Sequence, residues 1–342
     1  MLGIFIVAEL SANHNQNLSL AKESIYAIKE CGADAIKLQT YTPDSLTLEC
    51  RSDIFKINSN TIWDNKYLYD LYKEAYMPLE WNYELFSIAR KIGLFCFSSA
   101  FDKEGVDLLE SINNPIYKIA SFEITDTNLI SYIASKNKPI ILSSGIANNN
   151  ELDDAIECII TQNNYDITLL KCTSAYPAKT SELNLIDMVN DAKRLERKYK
   201  IKIKYGLSDH SKGNLASIIA TTLKASVIEK HFILDKKYGG VDSKFSLNKT
   251  QFTKLVKIIR ESEAALKNNN FLKYKNRKKG REFARSLFVC KDIKKGDKLT
   301  LENIKSVRPN NGLSPKYLKD IINKTALRDL EFGKPLEWED FS

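Results

Sequence analysis

Eight short runs of aliphatic, β-branched or aromatic residues punctuate the first three-quarters of the chain. They read IFIVA from residue 4, AIKL from 35, LFCFS from 94, IYKIA from 116, PIILS from 139, ITLLK from 167, KIKYGL from 202 and VIEK from 227. Each has the length of a buried strand. Between most of them lie stretches with apolar positions three and four apart, at 20–30, 81–91, 151–161 and 213–223, which is the helical period. Strand and helix in alternation argue for a parallel sheet with crossover helices. Eight such units in about 265 residues match the size of a (β/α)8 TIM barrel. A doubly wound open sheet is the structural alternative. It usually carries a glycine-rich phosphate loop after its first strand, and here that place reads AELSANHNQN, without a glycine.

The pattern breaks in two places. Residues 41–77 form an unusually long, aromatic connection of mixed charge. Such a segment is either a binding loop over the site or an extra packed helix pair. Near residue 266 the composition turns polar and basic, KNNNFLKYKNRKKGR, which reads as a linker over 266–282 after a barrel over 1–265. Residues 283–342 show short strands, glycine-containing turns and one short helix. They read as a small β-rich C-terminal domain with a thin core that leans on a partner surface.

Composition narrows the class. The 342 residues are 43% hydrophobic and 27% charged, a folded rather than a disordered balance. The net charge of +8 suits an anionic substrate or a weak nucleic-acid preference, and solvated surface lysine explains it as well. No nucleic-acid motif accompanies it, so no nucleic-acid partner is expected. No apolar run approaches the ~20 residues of a membrane helix, and MLGIFIVAEL lacks the basic leader of a signal peptide. Six scattered cysteines without a CxxC fit reduced thiols, so a cytoplasmic protein that does not engage membranes is expected.

The candidate chemistry sits where the apolar runs end. Their exits read Glu9 with SANHN, then KLQTY, SSAFD, KIASFE, SSG, KCTSAYP, LSDH and EKHF. In a barrel these exits share one face, where active sites are built. The three histidines, His14, His210 and His231, all lie just past strand ends. Closure brings strand one beside strand eight, so His210, His231 and Glu9 come from three consecutive staves. Two imidazoles with a nearby carboxylate suit a divalent cation with open positions, Mn2+ or Mg2+. His14 is open between orienting a neighbour, binding substrate and a structural role. Lys37 and Lys118, with Ser99, Ser121, Ser143 and Ser208, resemble a phosphate or carboxylate cradle. Glu123 and Asp242 are candidates for acid–base work or for binding substrate hydroxyls.

AELSANHN, AIKLQTY, PIYKIASFEITD, ILSSG, LLKCTSAYP, GLSDHS, IEKHFILD and GGVDSKFSL together resemble the sialic acid synthase family. The tail RSLFVCKDIKKGDKLTLENIKSVRPNNGLSP resembles that family's antifreeze-like (SAF) domain. The resemblance implies condensation of phosphoenolpyruvate with an acylamino hexose to a nine-carbon α-keto acid, with phosphate released. It assigns metal binding to His210 and His231, and phosphoenolpyruvate binding to Lys37 and Lys118 with the four serines. It places Glu9 and Glu123 near the aldehyde and water, with Gln39, Tyr176, Ser174 and Asp242 on the substrate side. It also implies a domain-swapped homodimer in which an arginine of the small domain, best matched by Arg285, enters the other subunit's site.

Departures from the neuraminic-type pattern bear on the sugar. This chain has SANHNQ for GVNHNG, Phe122 for a glycine, Ser174 for an asparagine and Ala100 for a common proline. The first three resemble the pseudaminic acid branch, whose substrate is a 2,4-diacetamido-2,4,6-trideoxy-altrose. The alternatives are a neuraminic or legionaminic acid synthase, a sugar-phosphate synthase without the SAF tail, and a sugar-binding protein without catalysis.

Overall fold

A computed structural model of the chain describes residues 3–59, 61–266 and 280–342. Its main body is the expected barrel. The strands are β1 (Phe5–Glu9), β2 (Ala35–Thr40), β3 (Phe95–Ala100), β4 (Tyr117–Ile119), β5 (Ile140–Ser143), β6 (Ile167–Cys172), β7 (Ile203–Asp209) and β8 (Val227–His231). They pair in parallel in sequence order, and β1 pairs with β8 to close the sheet. The helices of the barrel unit are α1 (Leu18–Glu30), α2 (Pro43–Leu46), α3 (Leu68–Ala75), α4 (Trp81–Lys91), α5 (Lys103–Ser111), α6 (Thr127–Ala134), α7 (Asn149–Thr161), α8 (Asp187–Tyr199), α9 (Leu215–Thr222) and α10 (Lys249–Leu266).

Local chemistry explains where these helices start. Asn17 caps α1 by accepting from Leu20 N–H. Asn148 and Glu151 form a reciprocal capping box at α7. The buried faces recur at helical spacing, as in Phe252, Leu255, Val256 and Ile259 of α10.

The strands alternate between two cores. Ile6, Ala8, Ile36 and Leu38 face outward into the large layer between sheet and helices. Val7, Ala35, Phe97, Ile141, Leu170 and Val227 face inward and plug the barrel. With a side-chain period of two, the next inward position on each strand lies one layer nearer the carboxyl end. Those positions are Glu9, Lys37, Ser99, Ser143, Cys172 and Glu229. The apolar plug is therefore capped by a polar layer, and this places the site.

Residues 41–77 contain α2, a one-turn 3-10 helix Asp53–Phe55, a Lys56–Tyr67 bridge and α3. The two expected readings of this segment are not exclusive: it carries short helices, and one of its side chains reaches the site. No helix among the described residues is long and apolar enough to cross a membrane. The six cysteines are free thiols.

The chain divides into two compact units, 1–267 and 268–342. Most of the expected linker lies outside the described residues, although Leu266 closes α10 and Arg281–Phe283 forms a 3-10 turn. The second unit pairs β9 (Ser286–Val289) antiparallel with β10 (Ile304–Val307) and adds one short helix, α11 (Leu318–Ile321). Its core includes Leu287, Val289, Ile293, Leu299, Ile304 and Leu336. Gly312 packs so tightly that a Cβ there would stand 2.5 Å from Leu287 O. The buried carboxylate of Asp340 receives Lys334 and Arg328.

Candidate active site

The polar layer is one connected network. Glu229 Oε1 accepts from Lys37 Nζ at 2.9 Å and from Ser208 Oγ at 2.9 Å, with Lys118 Nζ at 3.6 Å. Lys37 also meets Glu9 Oε1 at 3.0 Å. Gln39 donates to the same oxygen at 3.0 Å. The other oxygen of Glu9 lies 3.2 Å from His231 Nε2. Registry explains the contacts: Glu9 is level with both Lys37 and His231, Gln39 with Ser99, Ser99 with Lys118, and Ser208 with Glu229.

Burial and charge set the protonation states. Burial alone would raise the Glu9 carboxyl, but His231, Lys37 and Lys118 hold it well below the usual carboxylate range. Burial would lower Lys37, but Glu229 and Glu9 push it above the ordinary lysine value, so it stays cationic. Lys118 goes the other way. Burial lowers it, Lys37 adds repulsion, and attraction to Glu229 offsets only part of this. Glu123 is pushed up to about 7 by burial, against the pull of Lys118. It is a carboxyl that can hold or release a proton near neutrality.

Several buried polar atoms lack a partner: Ser99 Oγ, Ser143 Oγ, Glu123 Oε2, Glu229 Oε2 and His231 Nδ1. Unpaired polar atoms at this depth are costly. Gathered around two lysines, the serines form a cradle of donors for an anion. Ser121 and Ser174 share a hydrogen bond of 2.7 Å, and Ile146 N–H donates to Ser121 Oγ at 3.1 Å. Gly145 makes this approach possible, since a Cβ there would stand 2.0 Å from Ser121 Oγ and 2.4 Å from Ser174 Oγ.

His210 and His231 face each other with ring centroids 5.3 Å apart. His210 Nδ1 lies 3.1 Å from Thr173 O, which leaves its Nε2 free. His231 Nδ1 is 3.7 Å from Asp242 Oδ2 and has no hydrogen bond. Two imidazoles beside Glu9 and Asp242 could supply nitrogen ligands to a divalent cation. Among the described residues, no group of three or more His, Cys, Asp or Glu side chains is placed to hold a metal ion. Tyr176 lies against His210 at 4.4 Å.

The barrel thus gathers Glu9, Lys37, Gln39, Ser99, Lys118, Ser121, Glu123, Ser143, Ser174, Tyr176, Ser208, His210, His231 and Asp242 at one end, as expected from the strand exits. Arg285 belongs to the second unit, where it is exposed and donates to Ser306 O at 3.0 Å. His14 stays out of the network. Its Nδ1 accepts from Gln16 N–H, its ring packs edge-on to Trp81, and burial lowers it to about 4. Phe122 is 57% exposed on the turn between Ser121 and Glu123.

Residues 24–271 match the NeuB family, and residues 284–342 match the SAF domain. The chain belongs to the NeuB family. The chain is 53% identical over 336 residues, 98% of this chain and 97% of the relative, to a protein named pseudaminic acid synthase from Helicobacter pylori. It is 32% identical, over 98% of this chain and 94% of the relative, to an N,N'-diacetyllegionaminic acid synthase from Legionella pneumophila. Among solved structures it is similar to an N-acetylneuraminic acid synthetase from Leptospira borgpetersenii. There the TM-score is 0.68 at 29% identity, covering 79% of this chain and 87% of that one.

Three residues of the NeuB site escaped the sequence reading. Glu229, the hub of the lysine pair, was visible in principle: in VIEKH the inward positions are Val227, Glu229 and His231. Ser11 donates to Asp242 Oδ2 at 2.5 Å from a left-handed backbone, φ +47°, a conformation that costs about 1–3 kcal/mol and must be held by its surroundings. Trp63 reaches the site from the long segment, and no periodicity marks it. The neighbouring pair Lys230–Asp209, 2.8 Å apart, points outward and braces the strand ends.

Proposed function

We propose that this NeuB family member is a pseudaminic acid synthase, condensing phosphoenolpyruvate with 2,4-diacetamido-2,4,6-trideoxy-altrose to give pseudaminic acid and phosphate. The observation that carries the reading is the anion cradle: two buried lysines and two buried serine hydroxyls without partners, facing a pair of histidines. The near-full-length similarity to proteins named pseudaminic acid synthase supports the choice of sugar.

Lys37 and Lys118 hold the phosphate and carboxylate by charge, and Ser99, Ser121, Ser143 and Ser208 complete the hydrogen bonds. C3 of phosphoenolpyruvate attacks the open-chain aldehyde, which leaves positive charge at C2. Water adds at C2, and phosphate leaves with cleavage of its bond to carbon. Glu123 is poised to move a proton at the aldehyde or the water, since its carboxyl titrates near neutrality. Glu9, kept ionised, orients His231 and Gln39. His210 and His231 would hold a divalent cation, Mn2+ or Mg2+, which polarises the aldehyde when bound. Asp242, Tyr176 and Ser174 bound the sugar side. A domain-swapped homodimer in which Arg285 completes the neighbouring site, and a cytoplasmic location, belong to the same reading.

The test is phosphate release and product mass from phosphoenolpyruvate with a panel of acylamino hexoses. The diacetamido altrose should be used in preference to N-acetylmannosamine and to the legionaminic precursor. Faster turnover of either of the latter would refute the sugar assignment.

A further inference from the structure

The catalytic groups named above sit on strand ends or on the loops that follow them. Trp63 does not. It comes from the segment joining β2 to α4, yet it contacts two loops of the site at once. Its indole N–H donates to Val241 O at 3.1 Å, one residue before Asp242. Its ring lies 5.4 Å from that of Tyr176, tilted by 50°. Tyr176 in turn packs on His210 at 4.4 Å and on Phe245 at 5.1 Å. Two tyrosines of the same connection, Tyr41 and Tyr72, pack edge to face at 6.2 Å. Burial raises both, and the charge of Asp242 raises Tyr41 further as that of Glu123 raises Tyr72. The segment therefore approaches both carboxylates on the sugar side.

We propose that Trp63 is a positioning residue for sugar selection. By bridging Tyr176 and Val241 it fixes an aromatic wall beside Asp242. The proposal rests on the sugar reading given above. An N-acylated trideoxy hexose has methyl groups to set against such a wall and hydroxyls to set against the carboxylates. A hydroxymethyl in place of a methyl would press a hydroxyl against aromatic carbon, with no partner for it. The lysines and serines of the phosphoenolpyruvate cradle are borne by the strands and the turn after β4 rather than by this segment.

The experiment compares wild type, Trp63→Ala and Trp63→Phe in the full-length enzyme, with phosphoenolpyruvate and either the diacetamido altrose or N-acetylmannosamine, read by phosphate release. In Trp63→Ala the KM for the altrose should rise about 10- to 100-fold and the preference between the two sugars should narrow. The KM for phosphoenolpyruvate should stay within about twofold, since only sugar binding is touched. Trp63→Phe, which keeps the ring, should recover most of the loss. A Trp63→Ala enzyme with unchanged sugar KM and preference overturns the inference. So does one whose only change is a kcat loss shared equally by both sugars. A wild type that prefers N-acetylmannosamine refutes the sugar reading instead, and the shift in sugar KM then tests Trp63 with that substrate. A wild type that turns over neither sugar overturns both.

Discussion

Replacing Glu229 with glutamine tests whether the buried carboxylate keeps the phosphoenolpyruvate lysines charged. The substitution preserves shape and leaves an oxygen for Ser208 Oγ to donate to. It removes one of two carboxylates from Lys37, which retains Glu9 at 3.0 Å. For Lys118 it removes the carboxylate it pairs with, 3.6 Å away. At that separation an ion pair is worth about 4–5 kcal/mol gross at an effective dielectric constant near 20. Relaxation and residual solvation leave a net loss of about 1–3 kcal/mol, or roughly 5- to 150-fold. Burial and Lys37 already lower Lys118, and attraction to Glu229 is the largest opposing influence. Without it the Lys118 pKa falls further, and the charge is lost at a lower pH. The alkaline limb of kcat/KM for phosphoenolpyruvate should therefore move to lower pH in Glu229→Gln, and KM should rise most at high pH. The assay is phosphate release across pH 6–10 at saturating sugar, with a thermal melt to confirm folding. The reasoning is refuted if the variant binds phosphoenolpyruvate more tightly at every pH. That outcome would mean that Glu229 mainly repels the substrate anion.

Glu123 gives a stability signature of opposite sense to an ordinary paired carboxylate. Its folded pKa, about 7, lies above the ordinary glutamate value of 4.5, so its favourable contribution is present below about 4.5 and disappears as pH rises through about 7. Glu123→Gln should be more stable than wild type at pH 8 by up to about 3 kcal/mol and no more stable at pH 4, as read by chemical denaturation, while losing turnover. Gly145→Ala would drive a Cβ into Ser121 and Ser174; kcat/KM for phosphoenolpyruvate should fall by at least about 100-fold with the circular dichroism spectrum unchanged. A chelator should abolish phosphate release by wild type, and added Mn2+ or Mg2+ should restore it. His231→Ala should not respond to either ion, and full activity in that variant would remove the case for a metal.

The strand-borne part of the site was legible because a closed barrel turns a linear alternation into a layer. Val7 and Glu9, Ala35 and Lys37, and Phe97 and Ser99 are each two residues apart, so an inward apolar residue forces the next inward one to the polar end. The same rule extended to VIEKH would have found Glu229. It would also have set Lys230 aside, because adjacent residues face opposite ways and Lys230 must meet Asp209 outside the barrel. His14 shows the limit of reasoning from exits alone. It follows a strand end like the other histidines, but the 3-10 turn Ser11–His14 carries its ring against Trp81.

Tyr176 and Asp242 were named from the sequence, but how the loops join them to Trp63 was not legible, and the reason bears on specificity. Tyr176, Asp242 and Trp63 meet because three connections of unequal length fold toward one another, and no period in the sequence links residue 63 to residues 176 and 241. Phosphoenolpyruvate requires charge and hydroxyl groups at set heights in the barrel, which registry supplies to any sequence with this alternation. A sugar requires a wall of particular shape, which only the loops supply. Substitutions on the two sides should therefore separate kinetically. Changes at Lys37, Lys118 or Ser99 should weaken phosphoenolpyruvate whichever sugar is offered. Changes at Trp63 or Tyr176 should reorder the sugars while leaving the KM for phosphoenolpyruvate nearly constant. Ser174 is the sharpest case, because its hydroxyl is bonded to Ser121 across the boundary between the two sides. Ser174→Asn should change sugar preference and, by releasing Ser121, also raise the KM for phosphoenolpyruvate by several-fold. Trp63→Ala should do only the first.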